Sequence, residues 1–183
     1  MLIVEGAKGT GKTSFINYYQ QKSNRKLNIV HATGETSNTF NWHESLIFGD
    51  KHIDVCDRFA LGEMIYPDLY HREPKMNQKQ FDKLMTDIEN FFDGTLVILY
   101  SSIPTMLVDR VEKRDGVKLS DDDKLILKKS NESFRRLGKE LIKNHREFLK
   151  QNKETNFKIC LIDTSKYNTD QTYRLYQKLQ RSI

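Results

Sequence analysis

The chain has 183 residues, 37% of them apolar and 30% charged, which is the size and composition of one soluble globular domain. No apolar run approaches the roughly 20 residues that a membrane span needs, and the start MLIVEG lacks the pattern of a secretory signal, so we expect a cytoplasmic protein. The net charge of +5 is compatible with nucleic acid and with small phosphorylated ligands, so it excludes neither.

The first element is an apolar strand at residues 2–4 that runs into a glycine-rich loop and then a helix predicted for residues 12–23. The loop matches G-x-x-x-x-G-K-[ST] at every fixed position. Such a loop directs several backbone amides at a polyphosphate, and the positive end of the following helix adds to the attraction. We therefore expect ATP with Mg²⁺, with the threonine hydroxyl on the metal. The predicted nucleotide-binding residues are Gly6, Ala7, Lys8, Gly9, Thr10, Gly11, Lys12, Thr13 and Ser14.

A weak strand is predicted at residues 27–31 and a stronger one at 53–56, followed directly by Asp57 and Arg58. In sheets of this type, ligands bind at the carboxyl ends of the strands. There an acid can hold Mg²⁺ or take a proton, and an arginine can brace a transferring phosphoryl group. A local ion pair is the alternative interpretation of this dipeptide.

The second half of the chain alternates helix and strand in the same way. Helices are predicted for residues 77–92, 104–114, 121–151 and 169–182, with strands at 96–100 and 159–162. Arg110 and Arg114 stand four apart on the 104–114 helix, so both could face one anion. The pattern predicts an α/β domain with a mostly parallel sheet of five strands, covered by helices on both faces.

The sequence lacks the motifs that would indicate a GTPase or a protein kinase. There is no Asn-Lys-x-Asp motif of the kind that reads guanine, which argues against a GTPase. Neither the glycine-rich loop nor the His-Arg-Asp pattern of protein kinases occurs.

Three stretches resemble the thymidylate kinase and deoxynucleoside kinase family, particularly its short phage-type members. They are EGAKGTGKT in the loop, DRFALGEMIY from Asp57 onward, and RVEKR at residues 110–114, with a looser match at IDTS, residues 162–165. The resemblance implies one domain over residues 1–183 with a three-layer P-loop kinase fold and a lid around residues 110–120. It also implies catalytic roles for Lys12, Asp57, Arg58, Arg110 and Arg114, with Asp57 and Thr13 on the metal.

The acceptor side departs from thymidylate kinases in two places. Lys8 stands where they often carry an acid for the sugar, and the segment after residue 31 offers Glu35 where an arginine is usual. Glu35 could instead act as a general base for a 5′-hydroxyl, as in nucleoside kinases. The residues predicted to bind the acceptor are Glu35, Phe40, Glu63, Tyr66 and Arg72.

The leading interpretation is transfer of a phosphoryl group from ATP to a deoxynucleoside monophosphate. The alternative is a deoxynucleoside kinase, and the more distant ones are a polynucleotide 5′-kinase and an ATP-binding switch protein. We expect a small nucleoside or nucleotide substrate, no membrane association and no stable nucleic-acid complex. The oligomeric state stays open between a monomer and a homodimer.

Overall fold

The computed structural model describes residues 1–32, 39–151 and 154–181. Its strands are β1 (Leu2–Gly6), β2 (Ile29–His31), β3 (Val55–Asp57), β4 (Thr95–Tyr100) and β5 (Lys158–Asp163). They form one sheet in the order β2-β3-β1-β4-β5, and every neighbouring pair is parallel. The predicted α/β fold with five strands is therefore confirmed.

The helices of the described residues are α1 (Lys12–Lys22), α2 (Phe40–Phe48), α3 (Tyr66–Tyr70), α4 (Gln78–Phe91), α5 (Pro104–Asp115), α6 (Asp121–Gln151) and α7 (Thr169–Arg181). A short 3₁₀ helix at Ala60–Met64 precedes α3. Among the described residues, none of these helices combines the length and the apolar composition that crossing a bilayer requires.

Successive strand residues point to opposite faces of the sheet, and each face is covered by its own helices. On one face, Val4 of β1 packs with Phe15 of α1 and Tyr176 of α7. On the other face, Ile3 of β1 packs with Phe134 of α6 and lies in the same buried cluster as α4. This double coverage explains why the strand sequences are apolar without alternation.

The parallel arrangement brings the carboxyl ends of all five strands to one edge of the sheet. The glycine-rich loop follows β1 at this edge, and Arg58 follows β3. The loop after β5 begins at Thr164, whose backbone N–H donates to the carbonyl of Tyr100 at the end of β4, 2.8 Å away. The candidate site residues therefore come from separate segments that meet only in the folded chain.

The sequence did not predict α2, the 3₁₀ helix or α3. Helix α2 begins after Thr39, whose side chain accepts a hydrogen bond from the backbone N–H of Trp42, 3.3 Å away. Its nine residues are too few to show a clear helical period, and the 3₁₀ helix and α3 are shorter still. These elements could not be predicted because they are too short to show a sequence period.

Candidate active site

The loop between β1 and α1 has the backbone of a phosphate-binding loop. Gly6, Gly9 and Gly11 all have positive φ angles, of 142°, 82° and 89°. At Gly6 a side chain is also excluded by space, because an added Cβ would lie 2.2 Å from the carbonyl oxygen of Leu99. The fixed glycine of the motif is thus required by the close approach of β4.

The motif lysine is buried and points back over its own loop. Lys12 Nζ donates to the carbonyl oxygens of Gly6, 2.6 Å away, and Ala7, 2.9 Å away. Burial and the neighbouring Arg58 lower the pKa of the Lys12 amine to about 8, against the attraction of Glu5. Both hydrogen bonds are to neutral carbonyls, so an arriving phosphate could replace them with stronger charge-assisted ones.

A cavity of about 600 Å³ opens above the loop, and we call it the loop cavity. Its floor is formed by residues 8–15 at the start of α1, with Asp57 and Arg58 on one side. Arg110 of α5 closes another side, where it donates to the carbonyl oxygen of Thr164, 2.9 Å away, and to that of Gly9, 3.4 Å away. Arg110 thereby ties α5 to both the phosphate-binding loop and the loop after β5.

Asp57 and Arg58 face the loop cavity from the end of β3. Asp57 is buried, and its Oδ2 atom lies 2.9 Å from Nδ1 of His31. Its Oδ1 atom has no hydrogen-bond partner among residues 1–32, 39–151 and 154–181. Arg58 has a φ of 73°, a left-handed conformation that is uncommon for a residue with a side chain.

The carboxylate oxygen without a partner makes this corner suitable for Mg²⁺. The ion usually binds proteins through one or two carboxylates while substrate phosphates and water complete its shell. Thr13 lies at the exposed start of α1 and lines the same cavity as Asp57. Within the described part of the chain, no three His, Cys, Asp or Glu side chains cluster to hold a metal. The donor set therefore fits an ion that arrives with a nucleotide.

A second cavity, of about 420 Å³, shares Arg58 with the loop cavity. We call it the acceptor cavity, because Glu63, Tyr66 and Arg72, which were predicted to bind the acceptor, line it. Its walls combine charged side chains with aromatic and aliphatic ones, which include Phe59, Tyr66 and Phe134. The rings of Tyr66 and Phe134 are 6.0 Å apart in an edge-to-face arrangement, and burial raises the pKa of the Tyr66 hydroxyl. Flat apolar walls of this kind suit an aromatic ring of a ligand.

An ion pair between the exposed Arg72 and the buried Glu63 lines the acceptor cavity. Arg72 donates to both carboxylate oxygens of Glu63, at 2.8 and 3.0 Å, and the backbone N–H of Lys75 donates to Glu63 as well. The side chain of Glu63 is 5% exposed, whereas that of Arg72 is 37% exposed. Arg72 also donates to the carbonyl oxygen of Glu73, 3.1 Å away, so three hydrogen bonds hold its guanidinium.

The two cavities meet at a cluster of positive charge. Lys8, Arg58 and Arg114 line both of them. Lys8 Nζ lies 2.9 Å from Asp115, and Arg114 Nε donates to the same carboxylate, 2.6 Å away. These two cations hold the pKa of Asp115 well below its usual range. We call Lys8, Arg58 and Arg114 the junction cations.

One of the predicted acceptor residues does not reach this arrangement, and the position of another is not described. Phe40 lines neither cavity; it is half-buried in α2, where Lys83 Nζ lies 5.1 Å from its ring centre. Glu35 lies outside the described residues. Conversely, the sequence analysis missed Glu5 and Phe134, which line the acceptor cavity. Glu5 carried a signal, since an acid inside an apolar strand is unusual, but Phe134 carried none beyond its helical stripe.

The parallel sheet with helices on both faces and this loop after β1 together have the fold of P-loop kinases. The YorR protein from Bacillus subtilis, in complex with phosphorylated GDP, superposes with a TM-score of 0.67 at 17% identity, covering 98% of this chain and 95% of YorR. Deoxyadenosine kinase from M. mycoides with bound dATP gives 0.51 at 17% identity, with 99% of each chain covered. A gluconokinase from Sinorhizobium meliloti gives 0.50 at 11% identity, with 98% and 93% covered.

No protein-family model matches the chain, and a search of curated proteins finds no significant relative. The structural similarities, all at 17% identity or below, define the fold.

Proposed function

We propose that the protein transfers the γ-phosphoryl group of ATP to the 5′-phosphate of a deoxynucleoside monophosphate. The observation that carries the proposal is the pair of cavities joined by the junction cations. A kinase must hold donor and acceptor so that the reacting oxygen and phosphorus approach in line, with positive charge around the group in transit. Here the donor phosphates would lie over the loop, and the acceptor would enter from the opposite side of Arg58.

The charge at the junction favours a phosphorylated acceptor. A monophosphate carries about two negative charges, and removing it from water is costly unless cations compensate. Arg58 would supply this compensation where the two cavities meet, together with Lys8 and Arg114, which share the single carboxylate of Asp115. The cavity's volume of about 420 Å³ is in the range of small-molecule sites, which is roughly 300–1,000 Å³. One nucleotide fits this description better than a nucleic-acid end.

The chain's own residues divide the work of transfer. Lys12 would exchange its loop carbonyls for the outer phosphates of ATP, and Arg58 would brace the phosphoryl group between donor and acceptor. Thr13 and Asp57 would hold Mg²⁺, which neutralises phosphate charge when bound. Residues 110–120 would act as the lid, because Arg114 reaches the junction from the last turn of α5.

Tyr66 and Phe134 would hold the base and sugar of the acceptor against their rings. The Arg72–Glu63 pair would offer N–H donors to acceptor atoms on the base. Because Arg72 is fixed by two hydrogen bonds to Glu63, it loses little freedom when it binds.

A deoxynucleoside kinase is the second candidate, and one observation favours it. Asp57 Oδ1 has no partner among the described residues, while Oδ2 is oriented by His31. A carboxylate held in this way could take the proton of a 5′-hydroxyl as it attacks. Glu35 stays a proposed alternative for the same role.

The experiment is to incubate the purified protein with ATP and Mg²⁺ and each deoxynucleoside, each 5′-monophosphate or a DNA 5′-end, and to separate the products by chromatography. We expect ADP together with a deoxynucleoside diphosphate. The Lys12→Ala variant should lose at least about 100-fold in rate, whereas Lys22→Ala, exposed on the same helix, should not. ADP formation that no acceptor stimulates would support a switch protein instead and contradict the proposal.

A further inference from the structure

A buried carboxylate lines the acceptor cavity and has no role in the transfer described above. Glu5, the last residue of β1 before Gly6, is 1% exposed and lines the acceptor cavity together with Arg58. Burial raises the pKa of its carboxyl to about 7, although Lys12 and Arg58 attract the charged form. A carboxylate in such a position costs stability, so a compensating role is expected.

Glu5 bonds to the residue that follows Arg58. Its Oε1 atom accepts a hydrogen bond from the backbone N–H of Phe59, 2.7 Å away. The contact arises from the sheet, because β1 and β3 are parallel neighbours and Val4 is paired with Asp57. The side chain of Glu5 therefore reaches the first turn after β3, although 54 residues separate the two partners.

The peptide that Glu5 contacts is held in an unfavourable conformation. Arg58 has a φ of 73°, and left-handed backbone costs a residue with a side chain roughly 1–2 kcal/mol. Besides the bond from Glu5 to the Phe59 N–H, two hydrogen bonds hold the backbone of Arg58. Its N–H donates to the carbonyl of Val4, and its carbonyl accepts from the thiol of Cys56, both at 2.9 Å. Strain of this kind persists only where the surroundings fix it.

We propose that Glu5 is a positioning residue, which locks the peptide between Arg58 and Phe59 so that the guanidinium of Arg58 stays at the junction of the cavities. The proposal rests on the proposed phosphoryl transfer for its effect on rate. Glu5 acts through the length of its side chain and its acceptor oxygen, because the backbone N–H is the group that it holds. Its negative charge is secondary to this task.

Two substitutions separate length from charge. Glu5→Gln keeps the reach and the acceptor oxygen but removes the charge, whereas Glu5→Asp keeps the charge but is one methylene short. We expect Glu5→Gln to keep kcat within about threefold and Glu5→Asp to lower it about tenfold or more, with KM for ATP nearly unchanged in both. In an Arg58→Ala background, Glu5→Asp should add little, because the two residues act as one unit.

Hydrogen exchange at the Phe59 amide tests the lock without any substrate. We expect strong protection in the wild type and in Glu5→Gln, and faster exchange in Glu5→Asp. The proposal is overturned if Glu5→Gln loses as much activity as Glu5→Asp, which would make the carboxylate a base or a counter-charge, or if exchange at Phe59 is the same in all three proteins. If the wild type transfers no phosphoryl group at all, the proposed function fails, while the exchange data still decide whether Glu5 holds the peptide.

Discussion

Arg110 and Arg114 illustrate how two residues of one motif acquire different surroundings. The four-residue spacing allows both to face one anion, and both line the loop cavity. Arg110 also donates to the carbonyls of Gly9 and Thr164, while Arg114 pairs with Asp115 and lines the acceptor cavity as well. The two arginines should therefore affect different kinetic constants, which gives two predictions.

Arg114→Ala should lower kcat about 10- to 100-fold with a smaller change in KM for ATP. The reason is that, in the proposed transfer, negative charge on the transferring group would be balanced at the junction, where Arg114 lies. Steady-state kinetics at saturating ATP measures the effect, with Lys113→Ala as the matched control, since Lys113 is an exposed cation one residue away. An unchanged kcat in Arg114→Ala would make this arginine a surface charge.

Arg110→Ala should raise KM or Kd for ATP several-fold more than it lowers kcat. Its guanidinium holds the phosphate-binding loop against the loop after β5, so its loss should loosen the nucleotide side of the site. Direct measurement of ATP binding by calorimetry distinguishes this from a loss of turnover. If ATP binding is unaffected and only kcat falls, the prediction is wrong. Arg110 would then act on the transferring group, and its hydrogen bonds to Gly9 and Thr164 would not explain its effect.

At the level of elements, α2 shows what local sequence patterns leave out. Loop and strand signals predicted β1, α1 and the end of β3 because each depends on neighbours in sequence. Helix α2 depends on distant partners: His43 packs against Phe59, with ring centres 4.6 Å apart, and α2 contacts α4. The prediction that Phe40 binds the acceptor was made without knowledge of such partners. In the structure Phe40 lies against Lys83 of α4 and away from both cavities.

His43 makes α2 sensitive to pH. It is fully buried, neither ring nitrogen has a partner in the described parts of the chain, and burial lowers its pKa from 6.5 to about 4. Between pH 6.5 and 4 the unfolded chain binds a proton that the folded protein excludes, so stability is lost as the pH falls through this window. The loss attributable to His43 is about 3 kcal/mol.

The variant that tests this prediction is His43→Phe, which keeps a ring but cannot be protonated. Its free energy of unfolding should be close to that of the wild type at pH 7.5 and higher by about 2–3 kcal/mol at pH 4.5. His71→Asn is the control, because His71 is exposed and asparagine tolerates its left-handed φ of 49°. Denaturant unfolding at both pH values measures these free energies. If the free energy of unfolding depends on pH equally in His43→Phe and in the wild type, the prediction is wrong.

For the whole molecule, the sheet order decides which residues share the site. The glycine-rich loop and its position after β1 could be predicted from sequence because its motif lies within nine residues, and the strand-end location of Asp57 and Arg58 followed from the fold class. The junction of two cavities could not be assigned in this way. It requires Lys8 from the loop, Arg58 from β3 and Arg114 from α5, brought together because β1 lies between β3 and β4.

The central claim is that this junction receives an acceptor that already carries a phosphate. The most direct test is the ratio of kcat/KM values, with ATP as donor, for a deoxynucleoside 5′-monophosphate and for the same deoxynucleoside without its phosphate. We predict that the monophosphate is preferred at least about tenfold and that Arg58→Ala removes most of this preference, because the cation then no longer compensates the acceptor's charge. A higher kcat/KM for the deoxynucleoside, with the preference unaffected by Arg58→Ala, would contradict the account.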